Sequence, residues 1–208
     1  MKPYLRFNHS CQLIMPQIIL ASSSIYRKEL LERLLLDFKI VKPDIEEIRI
    51  ESETAYDTAD RLSEEKTKKI SSQFKEAVVI GCDQTAEYNN IQIHKPLDYQ
   101  TALLQLKELS GKRVNFHSGI CVHYDKKNIF QKKVISFDVK YKNLKLAEIE
   151  SYLEKEKPFN CIGSIKSEGL GITLLDEINS SDPTSIIGLP LITLVEMLKE
   201  VGININGG

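Results

Sequence analysis

An apolar run, Ile18–Ala21, stops at three successive serines, and Leu30, Leu31, Leu34 and Leu35 then recur at helical spacing. Four apolar residues halted by turn formers and followed by a 3.6-residue repeat read as strand, turn and helix. A buried strand feeding a helix belongs to α/β layers rather than to a bundle or a sandwich. The pattern continues downstream. Residues 38–41 read as a second strand ending at Pro43, with Asp44, Glu46 and Glu47 collected just past it. Residues 54–74 read as a long polar helix carrying Arg61, Lys66, Lys68 and Lys69, and residues 77–81 as a compact buried strand ending in Asp83. Asn89-Asn90 turns a hairpin over 85–93, and His94-Lys95-Pro96 leads into a helix near Tyr99–Leu109 that Ser110-Gly111 closes. Residues 114–122 and Ile129–Tyr141 read as two long strands joined by a polar turn, 146–153 as an amphipathic helix, and 163–171 as a glycine-bearing loop. Pro190 sits where a first-turn proline belongs, before a last helix with the apolar face Leu191, Leu194, Val195 and Leu198, ended by Gly202. Together these segments predict an α/β fold on a mixed twisted sheet flanked by helices. In open sheets of this kind ligands collect at strand ends and helix starts.

Charge and composition exclude several classes. The 208 residues carry 28 Lys and Arg against 29 Asp and Glu, so no overall positive field exists to hold a nucleic acid, and any phosphate site must be local. No apolar run approaches the roughly 18 to 20 residues that span a bilayer. The basic start, with Lys2 and Arg6, lacks the apolar block and cleavage site of a signal peptide, which points to a cytoplasmic protein with no membrane partner. Residues 1–14 read as a disordered extension and residues 15–206 as a single domain. Cys11, Cys82, Cys121 and Cys161 are far apart, without a Cys-x-x-Cys pair, so they read as free thiols, with Cys82 and Cys121 buried in strands. The four histidines are equally dispersed and lack zinc-ligand spacing.

Three segments carry chemistry. In Ala21-Ser22-Ser23-Ser24-Ile25-Tyr26-Arg27-Lys28, free amides at a helix start together with Arg27 suit a phosphate, although serines there are also ordinary N-caps. In Gly81-Cys82-Asp83-Gln84 a carboxylate follows a buried strand, where it either orients a metal-bound water or simply caps a turn. In the stretch Phe159-Asn160-Cys161-Ile162-Gly163-Ser164-Ile165-Lys166-Ser167-Glu168-Gly169, a loop glutamate either meets the N1 and N2 edge of a guanine or is solvated. Lys66 and Lys95 are each a phosphate ligand or a surface lysine.

Taken together and in order, ILASSSIYRKELL from Ile19, Asp83-Gln84, Lys95-Pro96, the loop 163–169 and Ile187-Gly188-Leu189-Pro190-Leu191 resemble the Maf nucleotide pyrophosphatases. The resemblance runs from about Met15 to the C-terminus, and PFNCIGSIKSEGLGITL with Tyr26 places it nearest the YceF-type branch acting on 7-methyl-GTP. It implies an inosine triphosphatase-like fold with two lobes around a cleft, and hydrolysis of a nucleoside triphosphate to its monophosphate and pyrophosphate. Asp83 matches the proton acceptor; Tyr26, Gln84 and Glu168 match the positions that select substrate. Ser22, Ser24, Arg27, Lys66 and Lys95 are expected around the triphosphate, and a divalent cation, Mg²⁺ or Mn²⁺, on Asp83 with Glu46 or Glu47. A homodimer is the expected assembly. Ile25 stands where a proline is common, Cys82 where a serine or alanine is, and His117-Ser118-Gly119 where an aromatic or His precedes Thr-Gly. Competing readings are a non-catalytic nucleotide-binding regulator of septation, and a pyrophosphatase preferring dTTP and UTP or inosine triphosphate.

Overall fold

The structure, a computed structural model, describes residues 15–48 and 50–206; the extension expected at residues 1–14, with Cys11, lies outside them. One seven-stranded sheet carries the fold, in the order β2-β1-β3-β5-β6-β7, with β4 beside β3. β1 (Ile18–Ala21) runs parallel to β2 (Phe38–Ile40) and to β3 (Val78–Tyr88). β4 (Ile91–Ile93), β5 (Arg113–Tyr124), β6 (Ile129–Tyr141) and β7 (Leu175–Asn179) all pair antiparallel. The helices are α1 (Ile25–Glu32), α2 (Ala55–Ser71), α3 (Tyr99–Leu109), α4 (Leu146–Glu156) and α5 (Leu191–Glu200). The α/β expectation with a mixed sheet flanked by helices is met, and Cys82 and Cys121 are free and buried as expected.

Local chemistry explains the boundaries. Thr54 Oγ1 accepts from the Asp57 amide at 3.1 Å while the Asp57 carboxylate accepts from the Thr54 amide at 3.2 Å, a capping box that starts α2. Leu35 departs from its expected place on a helical face: α1 ends at Glu32, and Leu35 lies in the following turn at φ 54°, 92% exposed. The strand expected over 77–81 and the hairpin expected from residue 85 are one continuous strand, so Asp83 lies inside β3 rather than beyond its end. The loop 163–171 is bracketed by two short 3-10 turns, Ile162–Ser164 and Leu170–Leu174.

Two large cores and a smaller one, Ile19, Ala21, Ile70, Ala77 and Val79 under α2, lie along this sheet. The first joins Leu20, Leu30, Ile80, Ile120, Val122 and Leu194 between the sheet, α1 and α5. The second joins Leu106, Val114, Phe137, Tyr141, Ile149 and Leu153 between β5, β6, α3 and α4. Pairing on β3 changes where they meet: on one flank β1 covers residues 78–81 and β4 covers 86–88, whereas β5 covers 78–87 on the other. Residues 82–85 therefore face a gap between β1 and β4.

Candidate active site

A cleft of about 680 Å³ opens at that gap. Ser22 and Ser24 reach it from the β1–α1 turn, Tyr26 and Arg27 from α1, Glu47 from the segment before α2, and Lys66 from α2. Asp83 and Gln84 enter from β3, Lys95 from the segment after β4, and Glu168 from the loop after α4.

Its most buried charges are paired. Lys66, 5% exposed, donates from Nζ to Asp83 Oδ1 at 2.5 Å and contacts Glu47 Oε1 at 2.6 Å. A lysine buried this deeply stays charged only when carboxylates replace its lost water. Glycines bring α2 close enough for this contact. A Cβ at Gly81 would stand 2.6 Å from the Ser63 carbonyl oxygen, and one at Gly119 would stand 2.2 Å from that of Ala59. Burial pushes the Glu47 carboxyl up, but its bond to Lys66 and the fields of Lys66, Lys95 and Arg27 outweigh that and hold it below the usual range. Three cations thus act on one carboxylate. Arg61 holds the same segment, donating to the Glu53 carboxylate at 2.6 and 2.8 Å and to the Ile48 carbonyl at 2.9 Å.

Arg27 is anchored by its Nε, which donates to the Gly188 carbonyl at 3.0 Å; the Cys82 thiol donates to the same oxygen at 2.9 Å. Gly188 adopts φ 120°, a backbone region closed to most side chains, and this turns its carbonyl toward both donors. Ser24 Oγ accepts from the Arg27 amide at 3.4 Å and Ser22 Oγ accepts from the Ser24 amide at 3.1 Å. Both hydroxyls are therefore cap and turn acceptors as well as cleft walls.

At the other end Tyr26, Cys161 and Glu168 come together. The Cys161 thiol lies 3.8 Å from the Tyr26 hydroxyl, and the Lys166 ammonium stands 6.0 Å from the centre of the Tyr26 ring. Burial, with Cys161 adding to it, pushes the Tyr26 hydroxyl above its ordinary range, so this ring is neutral near pH 7. Gln84 spends its NH₂ group on Ser185 O (2.7 Å), Ile186 O (3.2 Å) and Ser118 Oγ (3.2 Å). Its carbonyl oxygen is the part left for a ligand.

A family model described as Maf-like protein matches residues 17–201. The chain belongs to the Maf family. Its relatives include proteins named 7-methyl-GTP pyrophosphatase in Methylobacillus flagellatus, 44% identical over 191 residues and covering 92% of this chain and 100% of that one. The proteins of that name in Nitrosospira multiformis (42% over 194 residues, 93% and 98% covered) and Ralstonia nicotianae (44% over 186 residues, 89% and 96%) are similar in extent. Among solved structures the Staphylococcus aureus Ham1 protein aligns over 61% of this chain and 72% of that chain, at 12% identity and a TM-score of 0.43.

Against the Maf resemblance, the cleft gathers Ser22, Ser24, Tyr26, Arg27, Lys66, Asp83, Gln84, Lys95 and Glu168. Of the two carboxylates expected beside Asp83, Glu46 is not among the lining residues and Glu47 is, paired to Lys66. Adjacent residues of an irregular segment point different ways, and no periodicity marks which one faces inward. Ser118 and Gly188 entered the sequence reading only as parts of motifs and Ser185 not at all, because the way they orient Gln84 and Arg27 runs through backbone carbonyls and a buried hydroxyl. Among the described residues no group of three or more His, Cys, Asp or Glu could by itself hold a metal ion, and no helix is long and apolar enough to cross a membrane.

Proposed function

We propose that this Maf-family chain hydrolyses a nucleoside triphosphate to its monophosphate and pyrophosphate, with 7-methyl-GTP as the preferred substrate. The observation that carries this reading is the convergence of Asp83, Glu47, Lys66, Arg27 and Lys95 on one cleft, with Tyr26 and Glu168 at its other end. A triphosphate carries about four negative charges near neutral pH, and its α-phosphorus must be shielded before water can attack. Arg27 and Lys95 line the same cleft and would neutralise charge building on the departing pyrophosphate. Lys66 binds Asp83 through Oδ1 alone, leaving Oδ2 to orient water and take its proton.

The donor set fits a divalent cation. Mg²⁺ is commonly held by one or two carboxylates together with substrate phosphates, and Asp83 and Glu47 are two carboxylates already drawn toward one ammonium. When bound, such a cation lowers the pKa of an attacking water and draws charge from the phosphates. Lys66 keeps the two carboxylates within reach of each other.

Base choice follows from charge. Methylation at N7 makes guanine cationic, so a base stacked on Tyr26 would gain a cation–π contribution of roughly 0.5 to 2 kcal/mol, and Glu168 would offer its edge the opposite charge. A purely nucleotide-binding regulator would need no carboxylate pair beside the phosphates. Pyrophosphate release from 7-methyl-GTP, GTP, UTP, dTTP and inosine triphosphate, with and without EDTA, tests the whole reading. EDTA-sensitive release, highest in kcat/KM for 7-methyl-GTP, is expected; binding without release overturns the enzymatic reading, and equal values for 7-methyl-GTP and GTP overturn the base assignment.

A further inference from the structure

The loop that carries Glu168 is held from behind by one partly buried acid. Glu156, the last residue of α4, has a side chain only 11% exposed; it receives the Lys166 ammonium at 2.7 Å on Oε1 and the Leu170 amide at 2.6 Å on Oε2. These two partners flank Glu168 in sequence. Between them Gly169 passes so close that an added Cβ would lie 2.6 Å from Glu156 Oε2. Tyr152, one turn earlier on α4, accepts the Lys166 amide on its hydroxyl at 3.0 Å. Two residues of one helix thus fix both ends of the stretch 166–170.

The pairing also governs charge at the base end. Lys166 stands 6.0 Å from the Tyr26 ring centre, on the residue where the base is expected to stack. An unpaired ammonium there would repel a cationic ring and would be free to swing onto Glu168, taking the carboxylate a base edge needs. The Lys166 ammonium, for its part, holds Glu156 below the usual carboxylate range, so the acid is ionised wherever the enzyme would work.

We infer that Glu156 is a positioning residue for base selection: it pins the 166–170 loop so that Glu168 enters the cleft, and it neutralises Lys166 so that a cationic base is accepted beside Tyr26. This rests on the base reading proposed above. It is separable from phosphate chemistry, because Glu156 is absent from the cleft lining that holds Asp83, Lys66 and Arg27.

The test measures kcat and KM for 7-methyl-GTP and GTP in the wild type, Glu156→Ala, Glu156→Ala with Lys166→Met, and Gly169→Ala. A charge-assisted contact removed at this distance is expected to raise KM for 7-methyl-GTP about tenfold and to leave kcat within about twofold. The preference for 7-methyl-GTP over GTP should fall several-fold in Glu156→Ala. Removing Lys166 as well should restore part of it, since the orphaned charge goes with it. Gly169→Ala, which pushes the Glu156 carboxylate aside without deleting it, should reproduce the KM effect and covers the case in which Glu156→Ala does not fold. Unchanged KM values in both variants, or a parallel fall in kcat for both nucleotides with a lowered Tm, would overturn the inference. If the wild type itself treats the two nucleotides alike, the Tyr26 and Glu168 reading fails on its own. Glu156 then stands as a loop anchor only if its variants raise KM at constant kcat, and falls if they do not.

Discussion

Lys66 and Lys95 are both lysines of the cleft, yet their surroundings differ sharply. Lys66 is 5% exposed and bound between two carboxylates, whereas Lys95 is exposed and acts on Glu47 through its field. Deleting Lys95 should therefore leave folding intact and weaken transition-state charge neutralisation. For Lys95→Ala a fall in kcat/KM of about 30-fold or more is expected with an unchanged Tm. A fall under about threefold would make Lys95 an ordinary screened surface lysine. His117 offers a second residue-level test. Burial pushes its imidazole below the ordinary 6.5, against the opposing pull of Glu87, whose Oε1 lies 3.6 Å away. Below pH 6.5 the unfolded chain takes up a proton that the folded chain takes up only at lower pH, so this residue's contribution to stability is present above that value and is lost as pH falls. His117→Gln should flatten the decline in Tm between about pH 7 and pH 5; an unaltered slope would show that the imidazole is not the titrating group.

At the level of elements, the site depends on how closely α2 lies on β3 and β5. Gly81 and Gly119 are the two places where that helix meets backbone with no room for a side chain. Gly119→Ala should force the helix outward, costing about 1 to 3 kcal/mol and roughly 2 to 12 °C in Tm. Turnover should fall further than stability, because Lys66 would be drawn off Asp83. A variant that loses stability but keeps full kcat would show that the close packing serves the fold alone. Elements written in local chemistry were legible in sequence. The β1–serine–α1 turn and the α2 start at Thr54 depend on residues within a few positions of one another. The continuity of β3 was not, since Asp83 and Gln84 interrupt the apolar run and only the gap between β1 and β4 explains why polar side chains sit mid-strand. β7 was also hidden: Asp176 and Glu177 make it look like a loop, and pairing to β6 alone suits a polar edge strand. The choice of Glu47 over Glu46 is likewise set by Lys66 and by Arg61, which grips the Ile48 carbonyl, and both lie on a helix remote in sequence.

At the scale of the described molecule, one sheet supports two large cores and a smaller one under α2, and the cleft opens where the strand partner of β3 changes from β1 to β4. This arrangement brings Arg27 of α1 and Lys66 of α2 to one end of the cleft and Glu168 of the segment after α4 to the other. Asp83 and Lys66, separated by 17 positions in the chain, meet at 2.5 Å at that junction. The most direct test of a shared catalytic centre is a double-mutant cycle on kcat with Asp83→Asn, Lys66→Met and both together, at saturating substrate and Mg²⁺. Groups that act as one unit are not additive: each single change should lower kcat by roughly 30-fold to 1000-fold, and the double should cost little more than the worse single. Single variants within about threefold of wild type, or effects that simply multiply, would contradict a joint role for the two residues.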